Sequence, residues 1–187
     1  FQQKGQDVTA ETCPHYLFKT EKDVIKVGPF GKINPPIRSH SDQVQLWKAL
    51  NNNTLSIVAS DHASFSYKEK IQGKKNFINA PPGAPSGEIM LPLMLNAVSK
   101  KRITLDKLVK TMSTNPAKRF NLFPKKGIIK KGSDADLVIL DMKETWEVNK
   151  NNFFSKDKRC AHLYYGDKIK GNIKTTIVNG KVAYDGN

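Results

Sequence analysis

One short, nearly continuous apolar run, "TLSIVAS" at residues 54–60, constrains the fold more than any other segment. It follows "SHSDQVQLWKALNNN", where Val44, Leu46, Trp47 and Leu50 recur at helical spacing and Ser39 or Ser41 can cap the start. That helix in turn follows "DVTAETC", a β-tolerant run ending at Pro14. Continuous apolar strands are those buried on both faces, as in a parallel sheet. Strand, helix, strand therefore predicts a βαβ crossover and an α/β fold. An acid and a histidine, Asp61 and His62, stand where the second strand ends. In α/β barrels that end carries the active-site loops.

The next segment, residues 61–87, is long, with a charged middle and the Pro-rich "APPGAP". Structureless stretches of this length are uncommon unless functional. "GEIMLPLMLNAVSKK" reads as an apolar helix with Pro92 in its first turns. "ITLDKLVKTMS" reads as another, with Thr104 as N-cap and Leu105, Leu108, Val109 and Met112 on one face. "NPAKRFNL" predicts a short helix entered through Pro116. After about Phe123 the character turns to β. A strand is expected over 137–140, and "IKTTIVNGKVAYDG" is a hairpin signal with Asn179-Gly180 as a type I′ turn. The expected division is 1–123 for the α/β part and 124–187 for a small β module. The lysine-rich "NKNNFFSKDKR" is expected as a surface excursion.

Several classes are disfavoured by composition. No run of about 18 apolar residues is present to span a membrane. The formal net charge of +14 suits an anionic partner in principle. The lysines are scattered among loop and helix ends, however, with no nucleic-acid recognition pattern, so solvated surface charge is the expectation. Cys13 and Cys160 lie far apart without C-x-x-C spacing and read as free thiols of a reducing cytoplasm. The first residues, "FQQKGQDVTAE", read as a chain entered part-way through.

A catalytic divalent-metal site needs several converging His, carboxylate or Cys donors. The chain has four histidines and neither H-x-H nor H-E-x-x-H. His40 lies in a helix cap region and His162 in the β module, both read as surface or structural; His15 follows Pro14 at a strand end. Asp61 is the distinctive candidate, an acid held near a sheet axis that could ligate a metal and shuttle a proton.

The order "ETCPHYL", "INPPIR", "SDHASF", then "STNPAKRFNLFPKKGIIKKGSDADLVILD" resembles the cyclic-amide amidohydrolases. These are the hydantoinases and dihydropyrimidinases, allantoinases and dihydroorotases, and the likeness covers essentially the whole chain. The resemblance implies the C-terminal portion of a (β/α)8 barrel plus part of a small β-sandwich. It implies two divalent metal ions, zinc foremost, activating water for attack on a ring amide carbonyl. Asp61 is then a metal ligand and the general base, with His62 shaping the loop and His15 outside the metal set. Asn34 in "INPPIR" aligns with a substrate-binding position. "APPGAPSGE" matches a second substrate loop, in which the Pro82 carbonyl and Gly83 N–H would pair with the ring.

By this resemblance the other metal ligands lie upstream of Phe1. The 187 residues alone are expected to be inactive and, with one carboxylate, to hold no tight metal. The parent enzyme is expected to be a cytoplasmic homo-oligomer, dimer or tetramer, acting on a small cyclic amide or ureide, with no nucleic-acid or membrane partner. "GK.NF" and "SDHASF" lean to hydantoinase or dihydropyrimidinase, while "INPPIR" leans to dihydroorotase or allantoinase. A non-catalytic amidohydrolase-like scaffold is the alternative of another class.

Overall fold

A computed structural model describes residues 1–186. Strand β1 (Glu11–Thr12) pairs in parallel with β2 (Ile57–Val58), in the register Glu11↔Ile57 and Thr12↔Val58. The connection between them carries three helices. Helix α1 (Pro14–Phe18) starts directly after β1 with Pro14 in its first turn, where the missing N–H costs nothing. Helix α2 (Glu21–Val27) opens on a Thr20–Asp23 capping box. Helix α3 (His40–Asn51) opens on a second box, Ser39–Asp42, so Ser39 rather than Ser41 is the cap.

Helix α3 turns Gln43, Trp47 and Leu50 inward at i, i+4, i+7 spacing. Trp47 Nε1 donates to Leu17 O at 2.8 Å. Val44, expected on this face, is exposed. Gln43 replaces it because its amide reaches the buried Lys19 carbonyl at 3.3 Å, satisfying a polar group that would otherwise lack a partner.

The long segment after β2 is partly ordered into helix. It holds α4 (Tyr67–Ile71), capped by Ser66 and Glu69, and 3₁₀ turns at Gln72–Lys74 and Phe77–Asn79. Helix α5 (Met90–Ser99) admits Pro92 in its first turn and buries Leu93, Met94, Leu95, Asn96 and Ala97. Helix α6 (Leu105–Val109) is capped by Thr104, as expected. It runs through a π turn, Lys110–Thr114, into α7 (Asn115–Arg119). The wide turn precedes Pro116, which has no N–H to continue an α-helical ladder. On α6 and the turn after it, Leu108 and Thr111 face inward, whereas Leu105 and Val109 are exposed, against the expected stripe.

The β module is an antiparallel sheet in the order β3–β4–β5, with β3 at Leu137–Glu147, β4 at Lys168–Val178 and β5 at Lys181–Asp185. Asn179 and Gly180 take φ 50° and 76°, as both central positions of a type I′ turn require. Asn96 of α5 pins this sheet by donating to Lys168 O at 3.3 Å and accepting from Lys170 N at 3.2 Å. Residues 149–159 lie mostly on the surface, as expected, but Phe153 within them and the segment 160–164 that follows turn inward. Phe153, Ala161, Leu163 and Tyr164 are buried in one cluster with Ile33, Ile37, Ala84, Ile89 and Leu93. Apolar side chains between the lysines anchor this segment, and the lysines stay outside. Both cysteines are free thiols and both are buried. Among the described residues, no helix is long and apolar enough to cross a membrane.

Candidate active site around Asp61

The β1–β2 register builds the site. Thr12 is opposite Val58, so the residues three further on, His15 and Asp61, leave the sheet side by side. His15 Nε2 lies 3.3 Å from Asp61 Oδ2. The imidazole is 1% exposed, whereas the carboxylate is 46% exposed and open to solvent. Asp61 has a left-handed backbone, φ 45°, a conformation that costs a non-glycine residue about 1–3 kcal/mol and clusters at functional sites. Neighbouring backbone fixes it: Ala59 N donates to Thr12 O at 3.0 Å, and His62 bridges to Ala84.

Burial dominates the electrostatics. It lowers His15 to about 4 against the opposing pull of Asp61, so the ring is neutral at pH 7. Burial, with Asp61 and Glu11 adding repulsion, pushes the Cys13 thiol up to about 12. Tyr16 rises to about 12 through burial and then the charges of Asp61 and Cys13.

Two loops flank Asp61. Asn34 is exposed on the first, and Tyr16 Oη ties this loop to α1 by donating to Pro35 O at 2.8 Å. Pro82 is exposed on the second. The Gly83 N–H, expected as a substrate donor, already donates to Lys32 O at 2.8 Å. Its committed position explains the glycine: at φ 152°, an added Cβ would lie 2.6 Å from Ala63 Cβ. Ala63 N donates to Ala84 O at 3.2 Å, and Ser86 Oγ donates to Ser60 O at 2.5 Å. Buried Lys70 joins both loops from behind, its Nζ donating to Pro29 O, Lys32 O and Pro81 O at 3.0–3.2 Å. Asn34, Pro82 and Gly83 thus belong to one stitched rim beside Asp61.

His62 is held rather than free. Its Nδ1 accepts from Gly87 N at 3.1 Å, which leaves Nε2–H to donate to Ser64 Oγ at 2.7 Å. Ser64 Oγ in turn donates a hydrogen bond to the buried Asp157 Oδ2 at 2.6 Å. Sequence reasoning did not connect Asp157, Ser64 or Tyr16 to Asp61. It also placed His15 apart from Asp61, although extending the strand pairing by three residues would have joined them.

Asp61 has two further potential donor side chains near it. Among the described residues, Cys13, His15 and Asp61 form the one group of three metal-donor side chains. His15 Nδ1 has no hydrogen-bond partner, and Nε2 faces the Asp61 carboxylate at 3.3 Å. An imidazole nitrogen beside an open carboxylate is a donor pair that fits a divalent cation.

Comparison with known proteins agrees with this architecture. The amidohydrolase family model matches residues 6–183. L-hydantoinase of Paenarthrobacter aurescens is 38% identical over 97% of this chain and 39% of its own length. A dihydroorotase of Sulfurihydrogenibium sp. is also 38% identical, over 96% of this chain and 41% of its own. The solved L-hydantoinase (dihydropyrimidinase) from Arthrobacter aurescens superposes with a TM-score of 0.92 at 36% identity, over 98% of this chain and 41% of that one. The chain thus spans about two-fifths of the length of the relatives it matches. From residue 6 to residue 183, this chain belongs to the amidohydrolase family.

Proposed function

We propose that the chain supplies the proton-transfer carboxylate and two recognition loops of a metal-dependent hydrolase that opens a cyclic amide ring, with hydantoinase- or dihydropyrimidinase-like substrates. In this reading β1 and β2 are the last two strands of a (β/α)8 barrel and β3–β5 are part of its β-sandwich. Asp61 carries the proposal: an acid in a left-handed backbone at a strand end, open to solvent and backed by a buried histidine.

Divalent ions, when bound, acidify water and polarise a ring carbonyl. Asp61 is the donor this chain offers them and the group that takes the proton from the attacking water. The same carboxyl returns that proton to the leaving ring nitrogen. The Asn34 amide has both a donor and an acceptor, which match the C=O and N–H of a cyclic amide or ureide. The Pro82 carbonyl is a second acceptor for a ring N–H. Gly83 serves the rim through its backbone, since its N–H is taken by Lys32 O.

Dihydroorotase is the second reading, favoured by Asn34 and by the 38% identity to the Sulfurihydrogenibium enzyme. The test uses the full-length protein with hydantoin, dihydrouracil and dihydroorotate assayed side by side. Asp61→Asn should lower turnover of the preferred ring by about 10²–10⁴-fold, the usual worth of a general base. Turnover unchanged by Asp61→Asn would overturn the assignment, and hydrolysis of none of the rings by the wild type would favour the scaffold reading.

A further inference from the structure

Lys70 of α4 is 1% exposed. Three main-chain carbonyls accept from its ammonium: Pro29 O and Lys32 O at 3.2 Å, and Pro81 O at 3.0 Å. Among the described residues, no carboxylate forms an ion pair with it. Lys32 stands two residues before Asn34, and Pro81 directly before Pro82. Lys32 O also accepts from Gly83 N at 2.8 Å, so one oxygen joins the two loops through a side chain and through the backbone. The helix that carries Lys70 is itself fixed. Tyr67 stacks on Phe30 with ring centroids 5.5 Å apart, and the Arg159 guanidinium lies 4.3 Å from the Tyr67 centroid. Gly73, just past α4, packs so closely that an added Cβ would lie 2.5 Å from Ala80 Cβ and 2.6 Å from Pro29 Cβ. A buried cation is costly unless its donors are all met, and here all of them hold the rim.

We propose that Lys70 is a positioning residue for ring binding: its ammonium clamps the Asn34 loop to the Pro82 loop and sets the spacing of the two contacts beside Asp61. The role in ring binding rests on the reading of Asn34 and Pro82 as substrate contacts; the clamp itself does not. The charge state of the amine governs the clamp. An ammonium has three donors for the three carbonyls, whereas a neutral amine has two and turns a lone pair toward the third. Burial, opposed by Cys160 and aided by Lys32, lowers the ammonium to about 8. The other charged or titratable groups around it are Glu69 on its own helix, Lys74 after it, and Asp157, Arg159 and His162 on the segment packed against α4. As pH rises through 8, one carbonyl loses its bond and the spacing of the loops loosens.

The full-length protein tests the clamp and the role separately. Amide exchange reads the clamp without any substrate: at neutral pH, Lys70→Met should speed exchange of the Gly83 N–H by at least about tenfold, the usual size of a hydrogen bond to a charged group. Unchanged exchange would overturn the clamp. Kinetics with hydantoin, dihydrouracil and dihydroorotate read the role. Lys70→Met should raise KM for the ring that is opened by at least about tenfold while kcat changes less, the pattern of lost uniform binding. Loss of folded enzyme alone would lower kcat and leave KM in place. Relative to Lys70→Met, wild-type KM should rise as pH passes through 8, a comparison in which titrations common to both proteins cancel. Lys70→Gln keeps two N–H donors without a titrating amine, so its KM should lie between the two and lack that rise. It carries the same measurements if circular dichroism shows Lys70→Met unfolded. Lys75→Met, at an exposed lysine of the same segment, should leave KM unchanged. An unchanged KM in both Lys70 variants, or a wild-type KM that follows theirs across pH 8, would overturn the positioning role and leave the hydrolytic reading to Asp61→Asn. A wild type that opens none of the rings would overturn that reading and the role in ring binding together, while Gly83 exchange would still decide the clamp.

Discussion

Ser64 Oγ donates to Asp157 Oδ2 at 2.6 Å, linking residues 93 positions apart in the chain. Through Ser64 and His62, the lysine-rich segment steadies the loop that begins at Asp61. Asp157 is buried and its Oδ1 has no hydrogen-bond partner, so the carboxylate depends on this contact. Asp157→Ala should cost about 1.5–3 kcal/mol, the range for hydrogen bonds to charged groups, as measured by urea unfolding. Asp157→Asn retains an acceptor for Ser64 and should cost less. Equal losses for both variants would show that the Ser64 bond contributes little.

Lys70 invites a test against pH. Burial lowers its ammonium to about 8 from an ordinary value of 10.5. Between these values the unfolded chain binds more protons, so this group's contribution to stability grows as pH rises and is lost as pH falls through 8. The wild type should therefore gain stability relative to Lys70→Met between pH 8 and 10. A pH-independent difference in urea midpoint would refute the lowered value.

Gly171 of β4 lies close against Leu95 of α5. Its φ is 109°, and an added Cβ would lie 2.8 Å from Leu95 Cβ. Gly171→Ala should destabilise the protein by about 1–3 kcal/mol, as overpacking does. Thermal unfolding measures the loss, and an unchanged melting temperature would mean that the sheet can move away from α5 at no cost.

Tyr16 spans from the helix of His15 to the loop of Asn34 through Pro35 O. Tyr16→Phe removes that bond and should raise KM for the ring substrate several-fold, at a cost of about 0.5–1.5 kcal/mol. Because the phenol contacts the loop, kcat should change less than KM. A fall in kcat alone would place Tyr16 in the chemistry instead.

Local chemistry made much of this structure legible in the sequence. The Ser39 cap, the Asn179-Gly180 turn and the apolar run ending at Val58 each declare their geometry over a few residues. Asp61 stood out because it follows such a run. His15 was harder to place, because its approach to Asp61 depends on the pairing of strands some 45 residues apart. The inner face of α3 was misread for a similar reason: Gln43 is buried only because Lys19 O waits for it. Phe153 was hidden in lysine-rich text, where charge density outweighed the one anchoring aromatic.

Two of the bonds that join the loops around Asp61 use main-chain atoms alone: Gly83 N to Lys32 O, and Ala63 N to Ala84 O. Such bonds do not depend on which side chain the residue carries. Rim positions such as Asn34 and Pro82 can therefore be exchanged without disturbing the rest of the mouth, while the acid keeps its station. On the proposed reading of Asn34 and Pro82 as substrate contacts, specificity and reactivity become separately heritable, and a lineage could change the ring it opens through a few substitutions at the rim.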